Sequence, residues 1–390
     1  MKFVSVICVI FFMNLSFGQT PKVYSVLDGK TTKIPDSLTT TIKGISKYIQ
    51  ANFQSEEDKI RAVFYWTASN ISYDVTAMNA PNNFGQSSNE KIELALKTRK
   101  GVCMHYAEVF NAIANNLGIK TYIVDGYTKQ NGKIVNISHS WCASKIDGKW
   151  FLFDPTWGAG YVDGGRFFKK LNNSYFKVTP AKMINSHMPF DYMWEFLNTP
   201  ISNFEFYNGI ISGKGKENFN FEKEIEKYDN LSEVDKLFES SERVEKNGLI
   251  NNLTKDYYFY KRNNFQVLIQ NNNIAKYNSI IEDYNQAVNE LNGFIYYRNI
   301  RFKPLYSDEN IAQMIQSPYD KLKKCNTDIS NLGSIGKENS SEVYALKSQI
   351  GEALKQAEIH YAFVQEYLSK SKNDRKKMFA KTSWLGIPLF

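Results

Sequence analysis

Apolar residues recur at helical spacing directly after Gly101. They repeat every three or four positions, which predicts a helix of about four turns that ends at Gly118, a natural helix stop. The apolar face of this helix consists of Cys103, Ala107, Phe110, Ala114 and Leu117. Because glycine has no side chain, Gly101 permits close backbone approach just before the helix. We therefore expect a buried helix with a cysteine in its first turn.

A strand pattern follows the helix. Residues 121–127 are rich in β-branched and aromatic side chains, and Asn131-Gly132 favours a two-residue hairpin turn. Residues 133–143 alternate, Asp147-Gly148 turns the chain again, and residues 149–154 return. This pattern predicts consecutive antiparallel strands.

The second hairpin turn sets a register with chemical consequences. It places Trp141 opposite Asp154 and His139 opposite Thr156. Because side chains alternate between the two faces of a sheet, His139 and Asp154 lie diagonally on one face, within reach of a hydrogen bond. Cys142 then points to the other face. A β-bulge between these strands would change the register.

A thiol, an imidazole and a carboxylate thus occur in the order Cys103, His139, Asp154. They are the parts of a nucleophile, its base and the group that orients the base. Unpaired N–H groups and the positive dipole end at a helix N-terminus favour a thiolate over a thiol. The position of Cys103 therefore suits a reactive cysteine better than a small core residue.

Cysteine and histidine are also the usual zinc ligands, and Cys103, His105, His139 and Cys142 could together be interpreted as a zinc site. The strand register argues against a zinc site, because His139 and Cys142 lie on opposite faces and Asp154 would be unexplained. We expect no metal and no cofactor.

Four motifs in this region resemble the transglutaminase-like superfamily. They are residues 57–74, which end in Ile-Ser-Tyr-Asp, then Gly101-Val-Cys with its helix, His139-Ser-Trp, and residues 147–157, Asp-Gly-Lys-Trp-Phe-Leu-Phe-Asp-Pro-Thr-Trp. The resemblance covers about residues 35–200. It looks closer to bacterial secreted members near kyphoscoliosis peptidase and to cytokinesis-type proteins than to blood-clotting transglutaminases. It implies an α+β, papain-like core, with a central helix packed on an antiparallel sheet.

The resemblance also implies roles for individual residues. Cys103 would be the nucleophile, His139 the base and Asp154 the orienting acid of a triad that acts on amide bonds. The backbone N–H of Cys103 is a natural oxyanion donor. By resemblance, a second donor would come from Trp66 or Tyr73. Both could instead be core aromatics, which is the interpretation we favour for Trp66.

The remaining aromatic and histidine candidates lie around this triad. Trp157 is expected to wall the cleft or to shield the imidazole, and His105 to pack beside the site as part of its wall. His187 and His360 are expected to be structural.

Members of the superfamily hydrolyse amides, crosslink proteins or are catalytically silent, so the resemblance leaves the reaction open. Nothing in the chain marks a tunnel for a lysine substrate, which favours hydrolysis of the acyl-enzyme by water. The predicted function is an exported thiol enzyme acting on a peptide or protein substrate. The alternative is a non-catalytic peptide-binding or scaffold protein.

The N-terminus has the pattern of a secretory signal peptide. Residues 4–17 are almost entirely apolar, and small residues occupy Ser16 and Gly18. We expect cleavage after residue 18 and a periplasmic or extracellular protein. The apolar run is too short to span a membrane. After cleavage three widely spaced cysteines remain, which does not resemble a disulfide framework, although a Cys142–Cys325 bridge stays open.

Composition divides the rest of the chain. We expect an N-terminal extension at 19–34, a catalytic domain at 35–200, a linker at 201–222 that contains Ser212-Gly-Lys-Gly, and a helical domain at 223–390. Apolar stripes in that last domain predict three helices, at about 231–247, 277–294 and 343–368.

The net charge of +8 does not by itself indicate nucleic-acid binding, since no nucleic-acid motif occurs in the chain. The Lys-rich stretch at 370–381 suits a solvated tail or a weak contact with anionic envelope surfaces. The helical domain either covers the flank of the enzyme or binds a protein partner. The oligomeric state stays open.

Overall fold

The computed structural model describes residues 24–78, 86–210 and 218–379, and the backbone of two short strands beyond them. The predicted signal peptide and the Gly-rich turn at 212–215 lie outside the described residues. The chain forms two compact units. The first contains the chain up to Leu231 together with Glu239–Tyr258, and the second contains Ser232–Phe238 and everything from Phe259 onward.

The division between the units falls later in the chain than the predicted linker. Residues 201–222 include a helix at Asn203–Asn208, which belongs to the first unit. The predicted domain boundaries stay predictions.

Ten α-helices of the described chain lie wholly within the first unit, and most are short. They are α1 Ser25–Thr31, α2 Ile42–Asn52, α3 Glu56–Asn70, α4 Val75–Met78, α5 Ser88–Thr98, α6 Cys103–Asn116, α7 Pro155–Ala159, α8 Pro180–Met183, α9 Asn203–Asn208 and α10 Phe221–Asn230. Three side-chain caps set the ends of the longer ones, because Thr41, Ser55 and Ser87 accept hydrogen bonds from the first turns of α2, α3 and α5.

The strands of the first unit form one four-stranded sheet and two pairs. They are β1 Ser72–Tyr73, β2 Lys100–Gly101, β3 Thr121–Gln130, β4 Lys133–Ile146, β5 Lys149–Phe153, β6 Gly160–Asp163, β7 Arg166–Lys169 and β8 His187–Pro189. The sheet is antiparallel with the order β5-β4-β3-β8, while β1 pairs with β2 and β6 with β7.

Both predicted hairpin turns are present. Asn131-Gly132 and Asp147-Gly148 have positive φ at both positions, as a two-residue turn of the type I′ requires. The second turn pairs Ile146 with Lys149 and Cys142 with Phe153, which is the predicted register. A register shift does occur in the sheet, but it lies between β3 and β4 near Tyr127 and leaves the β4–β5 register intact.

Helix α6 packs on this sheet, as the predicted fold class requires. Its buried face includes Phe110, whose ring centre lies 5.3 Å from that of Phe153 on β5. Cys142 on β4 faces the same core and its thiol donates to the carbonyl of Ala107, 3.4 Å away. The α+β core with a central helix on an antiparallel sheet is therefore confirmed.

The C-terminal half is mainly helical, as predicted. Helices α11 Glu233–Lys246 and α12 Asn252–Asn299 contribute residues to both units, and α13 Asp308–Ser330, α14 Ser340–Ser369, α15 Lys372–Lys377 and the short strands β9 Lys381–Thr382 and β10 Pro388–Leu389 follow in the second. The three helices predicted from apolar stripes correspond to α11, part of α12, and α14. In the described part of the chain, none of the helices is both long and apolar enough to cross a membrane.

Candidate active site

Cys103 is the first residue of α6. The short parallel pair β1–β2 brings Gly101, two residues before it, beside Tyr73. As the first helical residue, Cys103 has a backbone N–H with no acceptor inside the helix. Its side chain is 9% exposed, at the edge of the core. The sulfur therefore sits in the first turn of the helix, at its N-terminal end, as the sequence predicts.

Gly101 is required by the first turn of α6. A methyl group added at Gly101 would lie 2.5 Å from Cβ of His105 and 2.8 Å from its Cγ. Contacts this short do not occur between carbon atoms, so the turn can form only because position 101 has no side chain. The expected close backbone approach before the helix is thus present.

His105 folds back over the start of its own helix. Its Nδ1 accepts a hydrogen bond of 3.2 Å from the backbone N–H of Val102. Burial, assisted by the charge of Lys91, lowers the pKa of this ring, which is 1% exposed. The expectation that His105 packs beside the site as part of its wall stays a prediction. His105 caps the helix that carries Cys103.

His139 and Asp154 meet where the register places them. His139 lies on β4, Asp154 directly follows β5, and Nε2 of the imidazole is 2.8 Å from Oδ2 of the carboxylate. Both side chains are buried, Asp154 completely. The predicted contact between imidazole and carboxylate is present.

Asp154 is also the N-cap of α7. Its Oδ1 accepts hydrogen bonds from the backbone N–H groups of Thr156 and Trp157, at 2.9 and 3.0 Å. Burial opposes the charge of this carboxylate, but the positive charge and hydrogen bond of His139, with a further hydrogen bond from His187, hold its pKa well below the usual range. Asp154 is therefore ionised throughout the neutral range.

The pKa of the His139 imidazole is shifted in the opposite direction, upward. Burial opposes its charge, yet the charge and hydrogen bond of Asp154, with a smaller contribution from the sulfur of Cys103, raise its pKa to about 10. Because Nε2 is directed to Asp154, Nδ1 is the nitrogen left for the sulfur. The carboxylate therefore favours the imidazolium form of His139, with the sulfur of Cys103 also acting on the ring.

His187 is the residue that the sequence reasoning missed. It lies on β8, and its Nε2 is 3.1 Å from the same Oδ2 of Asp154. Its segment, Ser186-His-Met-Pro189, is too short and too close to a proline to show strand periodicity, so His187 was expected to be only structural. The available signal was position: three of the four histidines fall inside the segment predicted to be catalytic.

The two candidate oxyanion aromatics differ in their surroundings. Trp66 is 2% exposed within the main hydrophobic core, with the Arg99 guanidinium 5.1 Å from its ring centre. Tyr73 lines the cavity at the site, and burial together with the charges of Cys103 and Asp154 raises its pKa. Tyr73 is therefore a protonated O–H beside Cys103, whereas Trp66 is a core residue.

A cavity of about 540 Å³ opens beside His139. Trp157 forms part of its wall, with its ring centre 5.5 Å from that of His139. Among the described residues that line the cavity, Lys129 is the single charged side chain apart from the imidazole, and there is no carboxylate. Most of the other lining side chains are aromatic, aliphatic or hydroxyl-bearing: Tyr73, Val135, Ile137, Thr156, Trp157, Tyr161, Val162, Phe167 and Tyr175.

The described residues contain one cluster of side chains of the kinds that bind metal ions. It consists of His139, Asp154 and His187, whose possible ligand atoms all lie within 4.8 Å of one another. Their nitrogens lie 2.8 and 3.1 Å from one carboxylate oxygen, which are hydrogen-bond distances. Two ligands on one tetrahedral zinc ion would lie about 3.3 Å apart. The arrangement fits two N–H donors on one acceptor better than it fits a metal centre.

Residues 43–155 match the family model of the transglutaminase-like superfamily. This segment is a transglutaminase-like domain. It contains Cys103, His139 and Asp154, whereas His187 lies beyond it.

Two curated proteins and one solved structure are similar to part of this chain. Mouse kyphoscoliosis peptidase is 28% identical over 200 residues, which is 48% of this chain and 29% of that protein. The human protein is 30% identical over 161 residues, 39% of this chain and 24% of the relative. A crystal structure of a TGase matches with 20% identity and a TM-score of 0.25, over 42% of this chain and 40% of that one. The chain spans less than a third of the length of these two peptidases.

Proposed function

We propose that this protein is a thiol enzyme that hydrolyses peptide or side-chain amide bonds through an acyl-enzyme. The observation that carries the proposal is the contact of 2.8 Å between His139 and a buried, ionised Asp154, with the sulfur of Cys103 acting on the same imidazole. A nucleophile, an acid–base group and an orienting carboxylate are the components that acyl transfer requires.

The proposed reaction has two steps. The Cys103 thiolate attacks the carbonyl carbon, and the His139 imidazolium gives its proton to the departing amine as the C–N bond breaks. The neutral imidazole then takes a proton from water, whose oxygen attacks the thioester; the C–S bond breaks, the acid is released, and the thiolate is restored beside the imidazolium. Asp154 keeps the ring oriented in both steps and stabilises its charge.

The developing oxyanion needs donors on one side of the carbonyl. We assign the backbone N–H of Cys103 as the first donor and the hydroxyl of Tyr73 as the second. The raised pKa of Tyr73 supports this role, because the hydroxyl keeps its proton over the whole range in which the enzyme would work.

The cavity favours hydrolysis of an uncharged substrate segment over transfer to a lysine. An incoming ammonium group would be held by a carboxylate, and the described lining residues offer none. The aromatic and aliphatic walls suit apolar side chains of a peptide. Export of the enzyme remains part of the proposal, resting on residues 1–18.

Alkylation of Cys103 by iodoacetamide tests for the reactive thiol. We expect residues 19–390 to be alkylated at Cys103 at pH 6–7, and His139→Ala to slow the reaction at least tenfold. Cys142 and Cys325 are internal controls, because burial raises the pKa of both thiols and keeps them protonated. Equal rates at Cys103 in wild type and His139→Ala would contradict the proposal.

A peptide library, incubated with wild type or Cys103→Ala and with or without a primary amine, tests the reaction itself. New N-termini made only by the wild type indicate hydrolysis. Amine adducts would replace hydrolysis by transfer. A reactive Cys103 with neither product would favour the alternative, a peptide-binding scaffold.

A further inference from the structure

The carboxylate of Asp154 contacts a second imidazole in addition to His139. Nε2 of His187 lies 3.1 Å from Oδ2, and Nδ1 of His187 lies 2.8 Å from the hydroxyl of Ser186. An ionised carboxylate only accepts hydrogen bonds, so Nε2 of His187 carries a proton directed at it. Burial lowers the pKa of His187, which favours the neutral ring, in which Nδ1 accepts from the Ser186 hydroxyl. The ring is thus neutral, with one N–H directed at the oxygen that also serves His139.

We propose that His187 is a positioning residue of the active site, whose Nε2–H holds Oδ2 of Asp154 where the His139 ring requires an acceptor. The inference rests on the proposed thiol-enzyme function of Cys103 and deepens it. His187 acts through Asp154 and need not touch the substrate.

The number of donors around Asp154 supports this role. A carboxylate has about four lone-pair sites. Thr156 and Trp157 fill two of them on Oδ1, and His139 and His187 fill two on Oδ2. With every site filled, the carboxylate cannot rotate without losing a hydrogen bond in a fully buried place, where an unmade bond is costly.

The surroundings fix the His187 ring as firmly as they fix His139. Its ring centre lies 4.6 Å from that of Trp157 and 5.2 Å from that of Trp141, and the same two indoles flank His139 at 5.5 and 6.1 Å. The backbone of His187 pairs with Thr128 on β3. Both imidazoles are therefore held by one set of aromatic walls.

The two imidazoles also differ in their pKa values. Burial and the positive charge of His139 lower the pKa of His187, although Asp154 opposes this. Only one of the two imidazoles can then carry the positive charge beside this carboxylate, and His139, the ring next to Cys103, is the one whose pKa is raised. His187 contributes a hydrogen bond without competing for the proton.

Two substitutions separate the hydrogen bond from the packing. His187→Gln keeps an N–H near the position of Nε2, whereas His187→Leu has similar bulk and no donor. We expect His187→Leu to slow iodoacetamide alkylation of Cys103 about tenfold at pH 6–7 and to shift the acid side of its pH profile upward, because Asp154 loses a donor to its charged form. His187→Gln stays within about threefold of wild type. His360→Leu, in the second unit, is the matched control and leaves the profile unchanged.

Low-field proton NMR gives a readout that does not depend on catalysis. The wild type shows two imidazole N–H protons bonded to a carboxylate. His187→Gln loses one and keeps the other, while in His187→Leu the remaining signal, from His139, moves or broadens. This measurement decides the positioning role even if Cys103 proves no more reactive than in His139→Ala and the proposed function fails.

Two outcomes would overturn the inference. If His187→Leu only lowers the melting temperature, while its alkylation profile and the His139 signal match the wild type, the ring is packing and nothing more. If one equivalent of zinc removes both N–H signals and His187→Leu abolishes zinc binding, the cluster is a metal site.

Discussion

Replacing Gly101 with alanine tests the way in which the fold places the sulfur. The added Cβ would lie 2.5 Å from Cβ of His105, about 1 Å closer than two carbon atoms normally pack. Either β2 or the first turn of α6 must move by roughly that distance. The turn that moves carries Cys103.

The expected loss of stability follows from two contributions. Overpacking in a buried place costs about 1–3 kcal/mol. Loss of the hydrogen bond from Val102 to the His105 ring adds about 1 kcal/mol. We therefore expect Gly101→Ala to destabilise the first unit by about 2–4 kcal/mol, measured by calorimetry. A displacement of about 1 Å is also expected to lower the reactivity of Cys103 as much as 100-fold.

Two further variants make the test specific. Gly29, in α1 of the same unit, has open space where a Cβ would go, so Gly29→Ala is the matched control and is expected to be neutral or stabilising by up to about 1 kcal/mol. In a His105→Ala background the nearest contact, Cβ to Cβ, remains, so Gly101→Ala must still destabilise. A Gly101→Ala protein that melts with the wild type and alkylates at its rate would refute the reasoning.

Two other predictions concern charge. Arg61 is fully buried and donates to Asp28 through Nε and Nη2, at 2.7 and 2.6 Å. Arg61→Met is therefore expected to lower the free energy of unfolding by about 3 kcal/mol, measured by calorimetry. Lys120→Met, whose partner Asp229 is on the surface, is the control and is expected to cost under about 1 kcal/mol; equal losses in the two variants would contradict the prediction. The pair of His139 and Asp154 predicts a pH window. The His139 contribution is complete below 6.5 and lost as pH rises through about 10, whereas the Asp154 contribution is present above 3.8 and lost as pH falls. The melting-temperature difference between wild type and His139→Leu is thus largest between about pH 4 and 6.5, and a difference that grows toward pH 10 would speak against the assignment.

Local rules were sufficient for the part of the site built from neighbouring strands. Two turns with Asn-Gly and Asp-Gly fix the register of β4 and β5, and the register brings His139 to Asp154. Helical periodicity then places Cys103 at the start of α6. Each of these inferences uses residues within a few positions of a recognisable turn or helix end.

The parts that sequence reasoning missed depend on distant contacts. His187 reaches Asp154 because three residues of β8 pair with β3, about 60 positions earlier in the chain, and so short a strand has no periodicity. The hydrogen bond from the Val102 N–H to the ring of His105 was not predicted, because histidine is not among the usual capping residues. Helix α13 was not predicted, and it contains Pro318, a residue type that normally ends helices.

The two oxygens of Asp154 divide their work between architecture and chemistry. Oδ1 begins α7 through two backbone amides, and Oδ2 meets the imidazoles. An alanine at this position would remove the N-cap of α7 and the hydrogen-bond acceptor of His139 at the same time. A protein of this fold without turnover would still gain on the order of 1 kcal/mol of stability from an aspartate at this position, through the helix cap alone. An aspartate at the equivalent position of a related sequence therefore indicates a conserved helix cap. Catalysis is indicated only when the cysteine and the histidine are present as well.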